Sequence, residues 1–570
     1  MQVDLVIRGG TVFDGSGADG FEGDVALDRG RIVAVGAEAA GLTGREEIDA
    51  RGQIVTPGFI DIHTHYDGQV SWDNRLAPSS GHGVTTVLMG NCGVGFAPCR
   101  PGDRERLVRL MEGIEDLPEV VLTEGVPWAW ESFPEYLDFL AARSFDINVA
   151  TQAPHAALRI FVMGERASER EAATAEDRAE MARLAKAAVA AGAFGFATSR
   201  TLNHKSSDGV LVPTLRAAEA ELAEIGRALG DLGRGVLQVV SDFDDPAEEL
   251  GRFRRVVEAS GRPMSVTLLL RQNSDKWRPV LDWVDACNAD GLSVRAQVAG
   301  RPIGGLSGFE HTYHPFAATP TFKGLKALAR EARAAELRRP EVRARILAEA
   351  EAAAGDGPSR WTEMFILGTP PKYEPEPGSS IAEIAARRGE TPFAIAYDAM
   401  LEQDGEGVLI GVSANLVNGD LDTAGAVLRH PYTLYGLGDG GAHVGILCDA
   451  SLPTFMLQYW ARERQRGSGR IPLAEVIHGL THANAQAIGL EERGLLRAGW
   501  RADINVIDFD RLTLGSPHVV RDLPAGGARI MQEAQGYTAT IVDGVVAYRD
   551  GAPTGELRGR LIRSGAQGAS

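Results

Sequence analysis

Thr56-Pro57-Gly58-Phe59-Ile60-Asp61-Ile62-His63-Thr64-His65 is the stretch on which the reading of this chain turns. A Pro-Gly turn opens a short apolar strand that ends in a His-x-His pair. Residues i and i+2 of a strand share a face, so His63 and His65 project to the same side at its C-terminal end, where two imidazoles can chelate one cation. Seven more apolar runs follow: Val84–Met89, Ile147–Ala150, Phe194–Thr198, Val236–Val240, Ser265–Leu270, Val294–Val298 and Tyr435–Leu437. Helical periods separate them. Thr174 opens a capping-box-like Thr-Ala-Glu-Asp before Met181, Leu184, Ala185 and Ala188, and Asp245-Pro246 reads as an N-cap and first-turn pair. Eight strands in βα alternation favour an α/β fold of the (β/α)8 TIM-like barrel type over an open sheet.

Working outward, short β-type runs occupy both ends: Val3–Ile7, Thr11–Phe13, Gly23–Leu27, Arg31–Val35 and Glu46–Asp49, then Asp503–Asp508, Thr540–Val542 and Val545–Tyr548, with an Asp543-Gly544 hairpin turn. We therefore expect a small β-sandwich from residues 1–57 and 490–557, a barrel over 58–489, and a frayed polar tail at 558–570. A Gly-rich, Ala/Arg/Glu-rich and Pro-rich stretch at about 304–377 interrupts the alternation and reads as an insertion, placed where barrels carry lids.

The chain has 570 residues, 58 Lys plus Arg and 77 Asp plus Glu, a formal charge of −19 that repels phosphate backbones and anionic lipid, so no nucleic-acid or membrane partner is expected. Only four cysteines, Cys92, Cys99, Cys287 and Cys448, are present, too few for a disulfide framework and suited to a reducing cytoplasm. No run approaches the roughly 20 apolar residues of a membrane span.

Two further clusters carry chemistry. Gly90-Asn91-Cys92-Gly93 follows the second strand and offers a thiolate, a good zinc ligand; the bland alternative is a buried, inert cysteine. Gly438-Asp439-Gly440-Gly441-Ala442-His443 follows the last strand, where Asp439 can serve as metal ligand, general base or both, or simply form a turn.

Taken together these clusters resemble the amidohydrolase superfamily and, more narrowly, the D-aminoacylase (N-acyl-D-amino-acid deacylase) family. Supporting stretches are Gly83-Val84-Thr85-Thr86-Val87, His155-Ala156-Ala157-Leu158-Arg159, Gly192-Ala193-Phe194-Gly195-Phe196 and Gly499-Trp500-Arg501-Ala502-Asp503-Ile504. The resemblance implies zinc in a barrel beside a β-sandwich, with His63 and His65 as ligands, Cys92 as a bridging ligand, and Asp439 as ligand and proton acceptor. One departure stands out. The family places a histidine near the end of the fifth strand and another near the end of the sixth, whereas Val236–Asp242 and Ser265–Arg271 contain none.

One zinc ion rather than two is therefore expected, held by His63, His65, Cys92 and Asp439; alternatively water replaces Cys92, or a loop histidine (His204, His311 or His314) moves in. Arg200, Arg271 and Arg301 can each grip a substrate carboxylate through paired hydrogen bonds, and His443 lies near the same mouth. His155 is expected to orient loops, and Lys205 lies too far past the fourth strand to bridge metals. The expected function is metal-dependent hydrolysis of the C–N amide bond of an N-acyl amino acid or related small amide by a homo-oligomer. The rivals are a hydrolase of cyclic or non-peptide amides, whose pocket would be wider and more apolar without those two imidazoles, and a metal-free barrel that only binds.

Overall fold

The computed structural model describes residues 2–272, 274–354 and 360–565. Eight parallel strands alternate with helices: β1 Phe59–Asp61, β2 Val84–Met89, β3 Asn148–Thr151 resuming at Ala153–Pro154, β4 Gly195–Arg200, β5 Val236–Ser241, β6 Met264–Thr267, β7 Val294–Val298 and β8 Thr433–Tyr435. Each pairs in parallel with the next in chain order. Just past β8 and β1, Thr64 and Gly440 form a parallel bridge, and the His65 N–H donates to the Gly440 carbonyl at 2.8 Å. β2 is buried at every residue, as a strand covered on both faces must be, which is why it reads as a β-branched and apolar run, interrupted only by Thr85 and Thr86. The helices start where side chains satisfy free N–H groups: Thr174 and Asp177 form the capping box of Ala175–Ala191, and Asp245 caps Pro246–Ser260.

The two chain ends meet in one module, a single hydrogen-bonded sheet of nine strands. Its seam is Ile504–Ile507 antiparallel to Ile54–Pro57, and Leu5, Ile7, Val25, Val55, Val506 and Ile541 share one buried cluster. Val3–Ile7 and Thr11–Phe13, expected as separate runs, belong mainly to one strand, Gln2–Val12, irregular between Ile7 and Gly10. Asp543 and Gly544 both have positive φ, 49° and 79°, which matches a type I′ hairpin.

Two boundaries differ from expectation. The insertion between β7 and β8 runs to Ala414, because Ile303–Ser307 and Met364–Ile366 both pair antiparallel with Leu409–Ala414. The Pro-rich patch read as its end is an internal loop, followed by helices Ile381–Arg388 and Pro392–Gly405, which pack around Phe309, Phe316, Ile346 and Tyr397. Residues 355–359 lie outside the described residues. The tail is not frayed where it is described: Gly559 exchanges backbone hydrogen bonds with Phe145, the Ile562 N–H donates to Val149 O at 2.7 Å, and Ile562 is buried beside Ile60, Leu88 and Phe194. Residues 566–570 lie outside the described range. Among the described residues no helix is long and apolar enough to cross a membrane.

Candidate metal centre

His63 and His65 follow β1 directly, and both rings are buried. Their Nδ1 atoms face away from the centre toward different partners. His63 Nδ1 lies 2.7 Å from Gln297 Oε1, whose amide orientation is set by donation from Nε2 to Ser265 Oγ at 2.9 Å. An amide oxygen only accepts, so His63 carries its proton on Nδ1 and leaves the Nε2 lone pair free. His65 Nδ1 lies 3.2 Å from Glu115 Oε1. Both Nε2 atoms then stand 3.6 Å from Asp439 Oδ1.

Cys92 enters from the loop after β2, with Sγ 3.4 Å from His63 Nε2. The turn that presents it is steric: at Gly90, φ 81°, a Cβ would meet Gln152 O at 2.4 Å, and Cys92 itself sits at φ 55°. Asp439 (φ 46°) and His443 (φ 50°) share this left-handed conformation. Backbone strain of this kind, of order 1–3 kcal/mol per residue, persists only where surrounding structure imposes it.

Donor atoms of His63, His65 and Cys92 lie within 4.8 Å of one another. Two ligands of a tetrahedral zinc ion, at about 2.0–2.3 Å from it, are separated by roughly 3.3–3.6 Å, so this N, N, S set has the spacing and softness of a zinc site, with the Asp439 oxygen adjoining it on the imidazole side. Electrostatics agree. Burial works to raise the Asp439 carboxyl, yet hydrogen bonding to His65 and the charges of His63, His65 and His443 hold it well below the usual carboxylate range. Burial lowers His63 to about 4 and pushes the Cys92 thiol up to about 11. Burial also opposes charge on His65, but Glu115, Asp439 and Cys92 outweigh it and raise that imidazole well above its ordinary value.

On β5 and β6, where the resemblance implies imidazoles, an amide and a hydroxyl stand near Cys92. Gln238 of β5 accepts the Cys92 N–H at 3.0 Å and donates to Thr267 Oγ1 of β6 at 3.3 Å. Polar groups thus stand beside Cys92, while apolar side chains, Val240, Phe243, Leu268, Leu269 and Trp277 among them, line much of the adjoining cavity.

The other expected site residues divide. Arg200 pairs with Glu249 and donates to Ala217 O at 2.7 Å. Arg301 is buried against Asp449 at 2.7 Å with its Cζ 4.1 Å from the Tyr373 ring centre. Neither guanidinium is free for a substrate, so the expectation for these two is corrected: both are internal ion-pair residues. Arg271 instead has no ion pair among the described residues and lines a cavity of about 380 Å³ with His204, Asp242, Thr267, Leu268 and His443. Of the loop histidines, only His204 reaches this region. Its Nδ1 lies 2.7 Å from Ser199 Oγ, and burial, reinforced by the charges of His65, His443 and His63, lowers it to about 3. His314 packs among Phe309 and Phe322 in the insertion, and His311 lines a different cavity. His155 is held between Thr198 and Glu221 at 2.8 and 2.7 Å, and Arg159 binds the same carboxylate.

Comparison with known proteins settles the lineage. A family model described as "Amidohydrolase family" matches residues 46–548. The chain belongs to the amidohydrolase family. It is similar to a D-aminoacylase of Alcaligenes xylosoxydans xylosoxydans, 27% identical over 98% of this chain and 97% of that one. The N-acyl-D-aspartate deacylase of the same organism is 28% identical over 99% and 96%. An uncharacterized protein of Mycobacterium tuberculosis, Rv2913c, is 29% identical over 100% and 97%. Solved structures share the fold: a D-aminoacylase with TM-score 0.65 at 24% identity, covering 98% of this chain and 100% of that one, and an N-acyl-D-glutamate deacylase from Bordetella bronchiseptica complexed with zinc and a phosphonate inhibitor, with TM-score 0.65 at 23% identity over 99% and 100%.

In this amidohydrolase several functional neighbours escaped the sequence reading. Gln297 and Gln238 lie on strands whose apolar texture drew attention away from single amides. Glu115 did leave a signal: it follows Met111 by four residues and Leu107 by eight, which puts a carboxylate on the buried face of helix Arg104–Glu115.

Proposed function

We propose that this amidohydrolase cleaves the C–N amide bond of an N-acyl amino acid, with one zinc ion held by His63, His65, Cys92 and Asp439. The eight strands, each paired with its successor and the last bridged to the first, are read as a closed (β/α)8 barrel whose C-terminal mouth carries all four ligands. The observation that carries the reading is the convergence of Asp439 Oδ1 on two imidazole Nε2 atoms beside a thiol. Zinc bound there supplies a Lewis acid that polarises the substrate carbonyl and lowers the pKa of water.

The protein's own groups do the rest. The Asp439 carboxylate, ionised at neutral pH and turned to the imidazoles through Oδ1, takes the proton of the attacking water on Oδ2 and passes it to the departing nitrogen. The substrate lies in the cavity flanked by His204, Thr267 and His443, with the Arg271 guanidinium as the partner for its carboxylate. D-Configured substrates are the first to test, since the named relatives are a D-aminoacylase and an N-acyl-D-aspartate deacylase. The absence of imidazole on β5 and β6, together with the engagement of Gln238 by Cys92 and Thr267, supports one ion.

The test is release of free amino acid from a panel of N-acetyl-D- and L-amino acids. Turnover lost in Asp439→Asn and in His63→Ala, with circular dichroism unchanged, supports the reading. Failure of the zinc-loaded protein on every N-acyl amino acid, with cleavage of a cyclic amide instead, would replace it with the rival substrate class.

A further inference from the structure

Glu115 is a buried carboxylate at the C-terminal end of its helix, 1% exposed, and burial of an ionised group is costly unless it is paired. No Lys or Arg pairs with it among the described residues. Its nearest side-chain partners there are two imidazoles: Oε1 lies 3.2 Å from His65 Nδ1, and Oε2 lies 3.7 Å from His443 Nε2. Its backbone carbonyl also accepts the His443 N–H. Neither His65 Nδ1 nor Glu115 Oε1 has a well-formed hydrogen-bond partner among the described residues, so each is the nearest claim on the other.

The two histidine ligands are thus supported unequally. His63 has a neutral amide behind it, Gln297, whereas His65 has a carboxylate. A carboxylate behind a ligating imidazole fixes the Nδ1–H tautomer, turns Nε2 toward the ion and strengthens it as a donor. A centre without imidazoles on β5 and β6 has fewer strong donors, and such support then counts for more. We propose that Glu115 is the positioning residue of the metal centre, holding His65 as an Nε2 ligand and tying the cavity residue His443 to the same carboxylate. This rests on the metal-site reading above.

Cobalt(II) titration of the metal-free protein, followed by its visible absorption and thiolate charge-transfer band, tests it. Glu115→Gln should weaken cobalt affinity about 10–100-fold, with the thiolate band intact at saturation because Cys92 is unchanged, and Glu115→Asp should recover part of the loss. Near-UV circular dichroism checks that the metal-free variants are folded. If Glu115→Gln does not fold, Glu115→Asp carries the test, and a weakening of about threefold or more is expected. Wild-type affinity in the folded variant used would overturn the role of Glu115 while leaving the metal centre standing. A wild-type protein that binds cobalt with no thiolate band would overturn the ligand set itself, and this inference with it.

Discussion

Asp439 Oδ1 lies 3.6 Å from His65 Nε2 across the junction where the last parallel strand meets the first. The contact joins residues 374 positions apart by number, 439 less 65, and the junction is held by backbone: the Asp439 N–H donates to His63 O at 3.0 Å and the His65 N–H to Gly440 O at 2.8 Å. His63, His65 and Asp439, three of the proposed ligands, therefore sit at a backbone-held junction, and removing one of these side chains should alter chemistry more than folding. Asp439→Asn is expected to lower kcat by about 10²–10⁴-fold, the usual scale for a lost general base, with little change in the urea midpoint. Cys92→Ala should lower zinc affinity without unfolding, because the Cys92 N–H that holds the turn to Gln238 survives the substitution. Equilibrium dialysis and urea melts check both.

A pH effect follows from His82. Its ring is buried between Thr454 Oγ1 and Gln532 O, both at 2.8 Å, and burial lowers it to about 4 from an ordinary 6.5. The folded protein holds this imidazole neutral while the unfolded chain binds a proton, so the unfolded state binds more protons between those values. Stability from this group is full above pH 6.5, declines as pH falls toward 4, and changes no further below. The loss is on the order of 3 kcal/mol. Urea unfolding at pH 4 and pH 7.5 should show wild type losing about that much more than His82→Gln. Equal losses would contradict it.

The insertion reaches the loop that carries Asp439 and His443. The Leu306 N–H donates to Ile446 O at 2.7 Å, and a Cβ on Gly445 would stand 2.3 Å from Thr312 Oγ1. Gly445→Ala is expected to lower kcat/KM about tenfold, roughly 1.4 kcal/mol of misplacement, with metal content unchanged. Adding Thr312→Ala should restore most of it. Steady-state kinetics of the three variants decide the point.

The ordered tail gives a stability prediction. A chain ending before Arg558 loses the Ile562 contact with Ile60 and Leu88 and the hydrogen bonds to Phe145 and Val149. Exposure of that apolar pocket should cost about 2–4 kcal/mol, read as a lower urea midpoint.

The parallel strands were legible because doubly covered strands are mostly apolar: each of the eight overlaps an expected run, the last only at Tyr435. His63, His65, Cys92 and Asp439, the proposed ligands, were legible because each lies within four residues of the C-terminal end of a strand. The partners of those ligands were not, since Gln297, Gln238 and Glu115 act through tertiary contacts that leave no spacing signature. Arg200 and Arg301 looked available for substrate only because Glu249 and Asp449, which neutralise them, lie 49 and 148 residues away in sequence. The tail misled for a similar reason: polar and small residues on both sides of Leu561-Ile562 hid one isoleucine that is buried beside the strands.

X-ray absorption at the zinc edge, on protein whose metal content has been counted, tests the centre most directly. One zinc per chain is expected, with a single sulfur at about 2.3 Å among nitrogen and oxygen ligands, and that sulfur should be lost in Cys92→Ala. Two ions per chain, or a shell with no sulfur in the wild type, would contradict it.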